Sequence, residues 1–145
     1  MGEAKSEVRR VECLSYYATS VGLIYVVIGL LSGFYLGYVK VTLESIPSAM
    51  VSGHSHFLCL SILILVVGFA MRNWAREIED KRFSLTEGQF RSAQVSVVLL
   101  ALGAIITFIA HFAEMWQLVM LGDLLYFIGF LVVALGWILG GRRVK

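Results

Sequence analysis

The chain has 145 residues, 59% of them hydrophobic, with a mean hydropathy of +0.83 and a net charge of only +2. That balance excludes an ordinary water-soluble domain, and a charge so small and so unevenly spread argues against a nucleic-acid partner. What stands is a single integral membrane domain over residues 1–145.

Four uncharged runs follow one another, at residues 13–39, 45–71, 92–113 and 124–141. About 20 residues of helix cross a hydrocarbon core of about 30 Å, and a backbone in lipid must satisfy its own hydrogen bonds. The runs therefore predict an all-α bundle of four spanning helices, near 14–39, 47–71, 92–116 and 118–140, with a connecting loop at 72–91. A soluble bundle is excluded because almost no polar face remains on any of the four. Eleven of the twelve Lys and Arg residues precede the first run, separate the second from the third, or follow the fourth, and Lys40 alone falls on the other side. Both termini and the 72–91 loop are therefore expected in the cytoplasm. The first run is too long for a signal-peptide core and is expected to stay in the mature chain. Cys13 and Cys59 are too far apart in sequence, and by expectation in depth, to read as a disulfide framework.

In the first helix Gly29, Gly33 and Gly37 form a double G-x-x-x-G run, a spacing that lets two backbones approach closely and suits a homo- or hetero-oligomer, or the face of a flat cofactor. Gly122, Gly129 and Gly136 repeat the theme, seven apart, in the fourth. The 72–91 loop mixes acids and bases and reads as a solvated connector, in which Ser84 is expected to cap a short helix with Glu87 closing the box.

The chemistry lies in the three histidines. His54 and His56 sit near the outer start of the second helix and His111 near the outer end of the third, so all three share one layer in the outer part of the bilayer. An ionisable side chain at that depth costs about 2–3 kcal/mol on insertion scales and marks a functional site by default. Residues two apart on a helix point about 200° from one another, so one of His54 and His56 meets His111 while the other faces a second site or an interface. Glu114 is expected to accept a proton from His111, as a carboxylate behind a metal-bound imidazole does, with Asp123 as a second candidate. Imidazole ligates haem iron, copper and zinc alike. The aromatic residues around these positions suit a porphyrin plate, whereas a closed four-ligand zinc set is not visible. No C-x-x-C-H occurs, so any haem is held non-covalently. No Ser-His-Asp set, phosphate loop or paired carboxylate points to hydrolytic or transferase chemistry.

Gly53-His54-Ser55-His56-Phe57, followed by the apolar stretch 58–68, resembles the H-x-H helix of the catalytic subunit of haem-copper oxidases and nitric oxide reductases. In that family the first histidine, matching His54, ligates the high-spin haem, and the second, matching His56, ligates the low-spin haem on the opposite face. This chain has four helices where the family has twelve, and it carries no copper-binding His-His pair. The resemblance implies a small b-type haem protein of a prokaryotic-type plasma membrane, with His56 and His111 on the haem iron, His54 at a second site, and a quinol or a respiratory protein as electron partner. Any catalysis would be that of an oxidoreductase. The alternatives are a cofactor-free accessory subunit of a larger respiratory complex and a small metal-handling or transport protein.

Overall fold

The computed structural model describes the backbone of residues 2–43, 48–80, 83–140 and 142–143, and side chains within 6–39, 48–80 and 84–136. Residues 1, 44–47, 81–82, 141 and 144–145, three of them lysines or arginines counted above, lie outside the described residues, and of Lys40 only the backbone is described. Four helices account for almost all of it: α1 (Gly2–Leu43), α2 (Ser48–Glu79), α3 (Glu87–Phe112) and α4 (Trp116–Gly140). Each contains a segment long and apolar enough to cross a membrane.

The helices run past the apolar segments that predict them. α2 continues to Glu79 and α3 begins at Glu87, so the 72–91 segment is helical over 72–79 and 87–91. An existing helix adds residues at little further cost, and Trp74, Ala75 and Ile78 keep an apolar stripe buried along the polar extension of α2. The expected Ser84–Glu87 capping box is not the one formed. Ser84 belongs to a two-residue antiparallel bridge between β1 (Phe83–Ser84) and β2 (Arg142–Arg143). Thr86 is the N-cap: its hydroxyl accepts from Gln89 N at 3.3 Å, and Gln89 Oε1 accepts from Thr86 N at 2.7 Å. Both pairs fit the same box spacing. Glu87 is taken instead by Arg10, in a two-pronged contact at 2.7 and 3.0 Å, and by Arg91 at 3.3 Å. At the other end α3 stops at Phe112 rather than 116, because Glu114 enters the left-handed region at φ 54° and turns the chain into α4.

α1 packs along α2 and α3 along α4, while α2 and α3 join the two hairpins. Among the buried positions of α2, Gly53, Phe57, Leu60, Ile64, Val67, Met71, Trp74 and Ile78 alternate steps of four and three, with Ser61, Gly68 and Ala75 flanking the seam, and Phe90, Ala93, Val97, Leu100, Ala104, Thr107 and His111 do the same on α3, flanked by Ser96, Gly103 and Ala110. A 3.5-residue repeat of this kind belongs to helices crossing at a shallow angle. Small residues set the closest approaches. A Cβ added at Gly103 would lie 2.7 Å from Gly122 O and from Tyr126 N, so α3 and α4 touch backbone to backbone. Gly29 and Gly33 serve a contact within the chain, against Leu58 and His54 of α2, whereas nothing lies within 4 Å of a Cβ at Gly37 or Gly136. An oligomer through the α1 glycine face would therefore rest on Gly37 and its neighbours.

Hydroxyls close the remaining gaps. Ser15 donates to Gly68 O at 2.9 Å, Tyr25 to Ala101 O at 3.2 Å and Tyr126 to Leu60 O at 2.8 Å, each bond joining two helices. Near the N-terminal end of α1, Arg10 also covers the Phe90 ring at 4.1 Å, and Glu7 Oε1 accepts from Leu85 N at 2.7 Å. These contacts hold the connector between α2 and α3 to the start of α1.

Candidate functional site

All three histidines lie at the end of the bundle where α1 gives way to α2 and α3 to α4. The structure brings His56 and His111 together and sends His54 the other way. His56 projects from α2 toward α3 and α4, and its ring centroid lies 5.8 Å from that of His111, with the planes tilted by 33°. His54 faces α1, where Ser32 Oγ is 3.0 Å from its Nδ1. The period of the helix explains the divergence.

His111 is buried at 3% exposure. Its Nδ1 is 2.9 Å from the Thr107 carbonyl, one turn earlier on the same helix. A carbonyl only accepts, so Nδ1 carries the proton and Nε2 is the lone-pair nitrogen of the neutral ring. Trp116, the first residue of α4, stands edge-on to the imidazole with centroids 5.6 Å apart. Phe108 stacks between Phe57 and Phe112 at 4.3 and 4.8 Å and supplies an aromatic wall beside the pair. Gly53 packs against His111 Cβ, and no side chain fits there without moving it.

His56 is half exposed, and its Nε2 lies 3.3 Å from Asp123 Oδ1. The same oxygen accepts from Thr107 Oγ1 at 3.0 Å. Asp123 is aimed into this position by its neighbour Gly122, whose bare Cα lets α4 settle on Thr107. With Nε2 toward the carboxylate, His56 in its neutral form has its lone pair on Nδ1. Thr107 is the hub: its carbonyl orients one ring and its hydroxyl, through Asp123, the other.

Glu114 does not take the position expected of it. It lies exposed in the turn between α3 and α4, and its contact with His111 is a backbone one, Glu114 N donating to His111 O at 3.2 Å. The side-chain partner of His111 is the Thr107 carbonyl, and the carboxylate in the cluster is Asp123. The Thr107 carbonyl and Ser32 escaped sequence reasoning. A hydroxyl or carboxylate set in an otherwise apolar helix was the available signal, since such groups face a partner rather than lipid.

Among the described residues, no group of three or more His, Cys, Asp or Glu is arranged to hold a metal ion. The arrangement offers two imidazoles, each with its N–H turned to an oxygen acceptor and its other nitrogen left with the lone pair. No protein-family model, no curated protein and no solved structure matches the chain.

Proposed function

We propose that this chain is a membrane electron-transfer protein in which His111 and His56 would hold haem b non-covalently in the outer half of the bilayer, with both termini in the cytoplasm. The observation that supports it is the imidazole pair, 5.8 Å apart on two helices. A ligating histidine ordinarily gives its other nitrogen to a carbonyl or carboxylate, which fixes the tautomer; Thr107 O and Asp123 do this for His111 and His56. The residues fit the group as donors, leaving Nε2 of His111 and Nδ1 of His56. The open side of the pair is that of His56, with its side chain 44% exposed, and the closed side is the Gly53 contact. Bound haem supplies one-electron chemistry. The chain's own part is to hold the two rings, to exclude water with Phe57, Phe108 and Phe112, and to keep a carboxylate on His56. The electron partner would be a quinol or a respiratory protein. A closed zinc or copper set is disfavoured because two nitrogens fall short of the ligands such sites use.

One observation favours a second reading, a cofactor-free accessory subunit: the contact between His56 and Asp123 is complete without any ligand. An optical spectrum of the purified protein titrated with haemin separates the two. The haem reading expects a reducible Soret and alpha band in the wild type, lost or converted to high spin in His56→Ala and in His111→Ala and kept in His54→Ala. A wild type that takes up no haem, or three variants with unchanged spectra, leaves the accessory subunit.

A further inference from the structure

The two hairpins meet unevenly along their length. Near the histidine end α2 and α4 are tied together, where Tyr126 donates to Leu60 O at 2.8 Å and Asp123 meets His56 at 3.3 Å. Beyond those ties the two helices part. An open slot of about 240 Å³ lies between them, with Val66, Ala70 and Trp74 of α2 on one wall and Phe130 and Ala134 of α4 on the other. Every side chain in the lining is hydrocarbon except the Trp74 indole, whose nitrogen is itself buried. Such walls give nothing to a phosphate, a sugar or an ordered water, each of which needs hydrogen-bond partners.

Width then decides which apolar group fits. From Val66 to Trp74 the slot runs about 12 Å at 1.5 Å per residue, so 240 Å³ leaves a mean cross-section of about 20 Å². Carbon chains in contact lie about 4.0–4.5 Å apart and so take about 16–20 Å² each. A helix about 10–12 Å across takes about 80–110 Å² and cannot enter. The ends give the direction. One turn beyond Phe130, toward the histidines, the Tyr126 bond to Leu60 stops the slot. Trp74, at the other end, lies two residues past Arg72, the first charge after the apolar run. A chain in the slot therefore enters at headgroup level and points to the bilayer centre, as the acyl chains of that leaflet do.

We propose that the slot between α2 and α4 holds one acyl chain of a phospholipid from the leaflet on the side of the 72–91 connector, with the headgroup beyond Trp74. In this half of the membrane the chain completes the contact between the hairpins that Tyr126 and Asp123 make in the other half. None of the three histidines lines the slot, so the inference stands apart from the haem reading.

Trp74 reports on the occupant, because its ring is only 4% exposed and forms part of the wall. With Trp116→Phe and Trp137→Phe in the full chain, Trp74 is the one remaining tryptophan. Its emission is compared in vesicles of dioleoyl phosphatidylcholine and of the same lipid brominated at the middle of both chains, since bromine quenches an indole that it touches. Emission should fall at least about twofold in the brominated vesicles, as expected of a chain within about 4.0–4.5 Å of the ring. Ala70→Leu places a longer side chain one turn from Trp74, and Ala134→Leu does so from the opposite wall; a slot one chain wide has no room for both. Each variant should keep most of the emission, and if one does not assemble the other decides. Equal quenching with and without the leucines overturns the proposal, because bulk lipid then reaches the ring by another route. Absence of quenching in the parent chain overturns it too, and means that a protein partner or the helices themselves close the slot.

Discussion

α3 and α4 cross backbone against backbone at Gly103 and Gly122, and Gly122→Ala probes the crossing directly. The added methyl meets Thr107 Oγ1 and falls 2.7 Å from Thr107 N and 2.9 Å from Gly103 O. The last two are backbone atoms that no rotamer relieves. To turn 2.7 Å into an ordinary contact near 3.4 Å, α4 must withdraw by about 0.7 Å. A gap of about 0.5–1 Å forfeits a quarter to a half of the dispersion energy at each contact across the crossing. Overpacking costs about 1–3 kcal/mol, and contact with backbone places this case in the upper half. Alanine's better helix propensity returns up to about 1 kcal/mol, leaving a net loss of about 1–2 kcal/mol. Withdrawal also lengthens the bond from Thr107 Oγ1 to Asp123, now 3.0 Å, and with it loosens the hold on His56. Gly136→Ala is the control, since its methyl meets nothing within 4 Å; it should be neutral or stabilising by up to about 1 kcal/mol. Reversible unfolding in mixed micelles, followed by circular dichroism, measures both. If Gly122→Ala unfolds with Gly136→Ala rather than well before it, the two helices do not meet backbone to backbone.

Tyr126→Phe removes the bond to the Leu60 carbonyl and should cost about 0.6–1 kcal/mol in the same titration, the usual worth of one interhelical hydrogen bond; no change would mean that the hydroxyl bonds elsewhere. Thr86→Ala should cost about 1 kcal/mol, the worth of an N-cap, whereas Ser84→Ala should stay within about 0.5 kcal/mol; the reverse order would restore the Ser84 box. For the orientation, a Glu79→Cys variant made in a background lacking Cys13 and Cys59 should resist an impermeant thiol reagent added to intact cells and react once the membrane is opened. Labelling from outside would invert the topology.

The membrane character and the number of helices were legible in the sequence, because partition into lipid is additive along a segment: some twenty apolar residues suffice, whatever they later touch. Which face of each helix turns inward was not. In a lipid-facing bundle the outer face is as apolar as the core, so the hydrophobic period that orients a soluble helix is absent. Phe34 is 78% exposed and Phe57 0%, with nothing in the residue type to tell them apart. The marks that did survive were small and polar residues such as Gly103, Thr107 and Gly122, since lipid gives them no reason to be there. For the histidines, a spacing of two required that His54 and His56 diverge, a local property of any helix. That His54 meets α1 and His56 meets α3 and α4 depends on the order of helices around the bundle, which no local pattern encodes. The carboxylates show the same division: both Glu114 and Asp123 sat close enough to His111 in sequence to serve the cluster, but φ 54° at Glu114 sends the chain outward, and the Gly103–Gly122 crossing carries Asp123 in. Tertiary packing decided between them, because a side chain reaches a site only where its backbone is held against it.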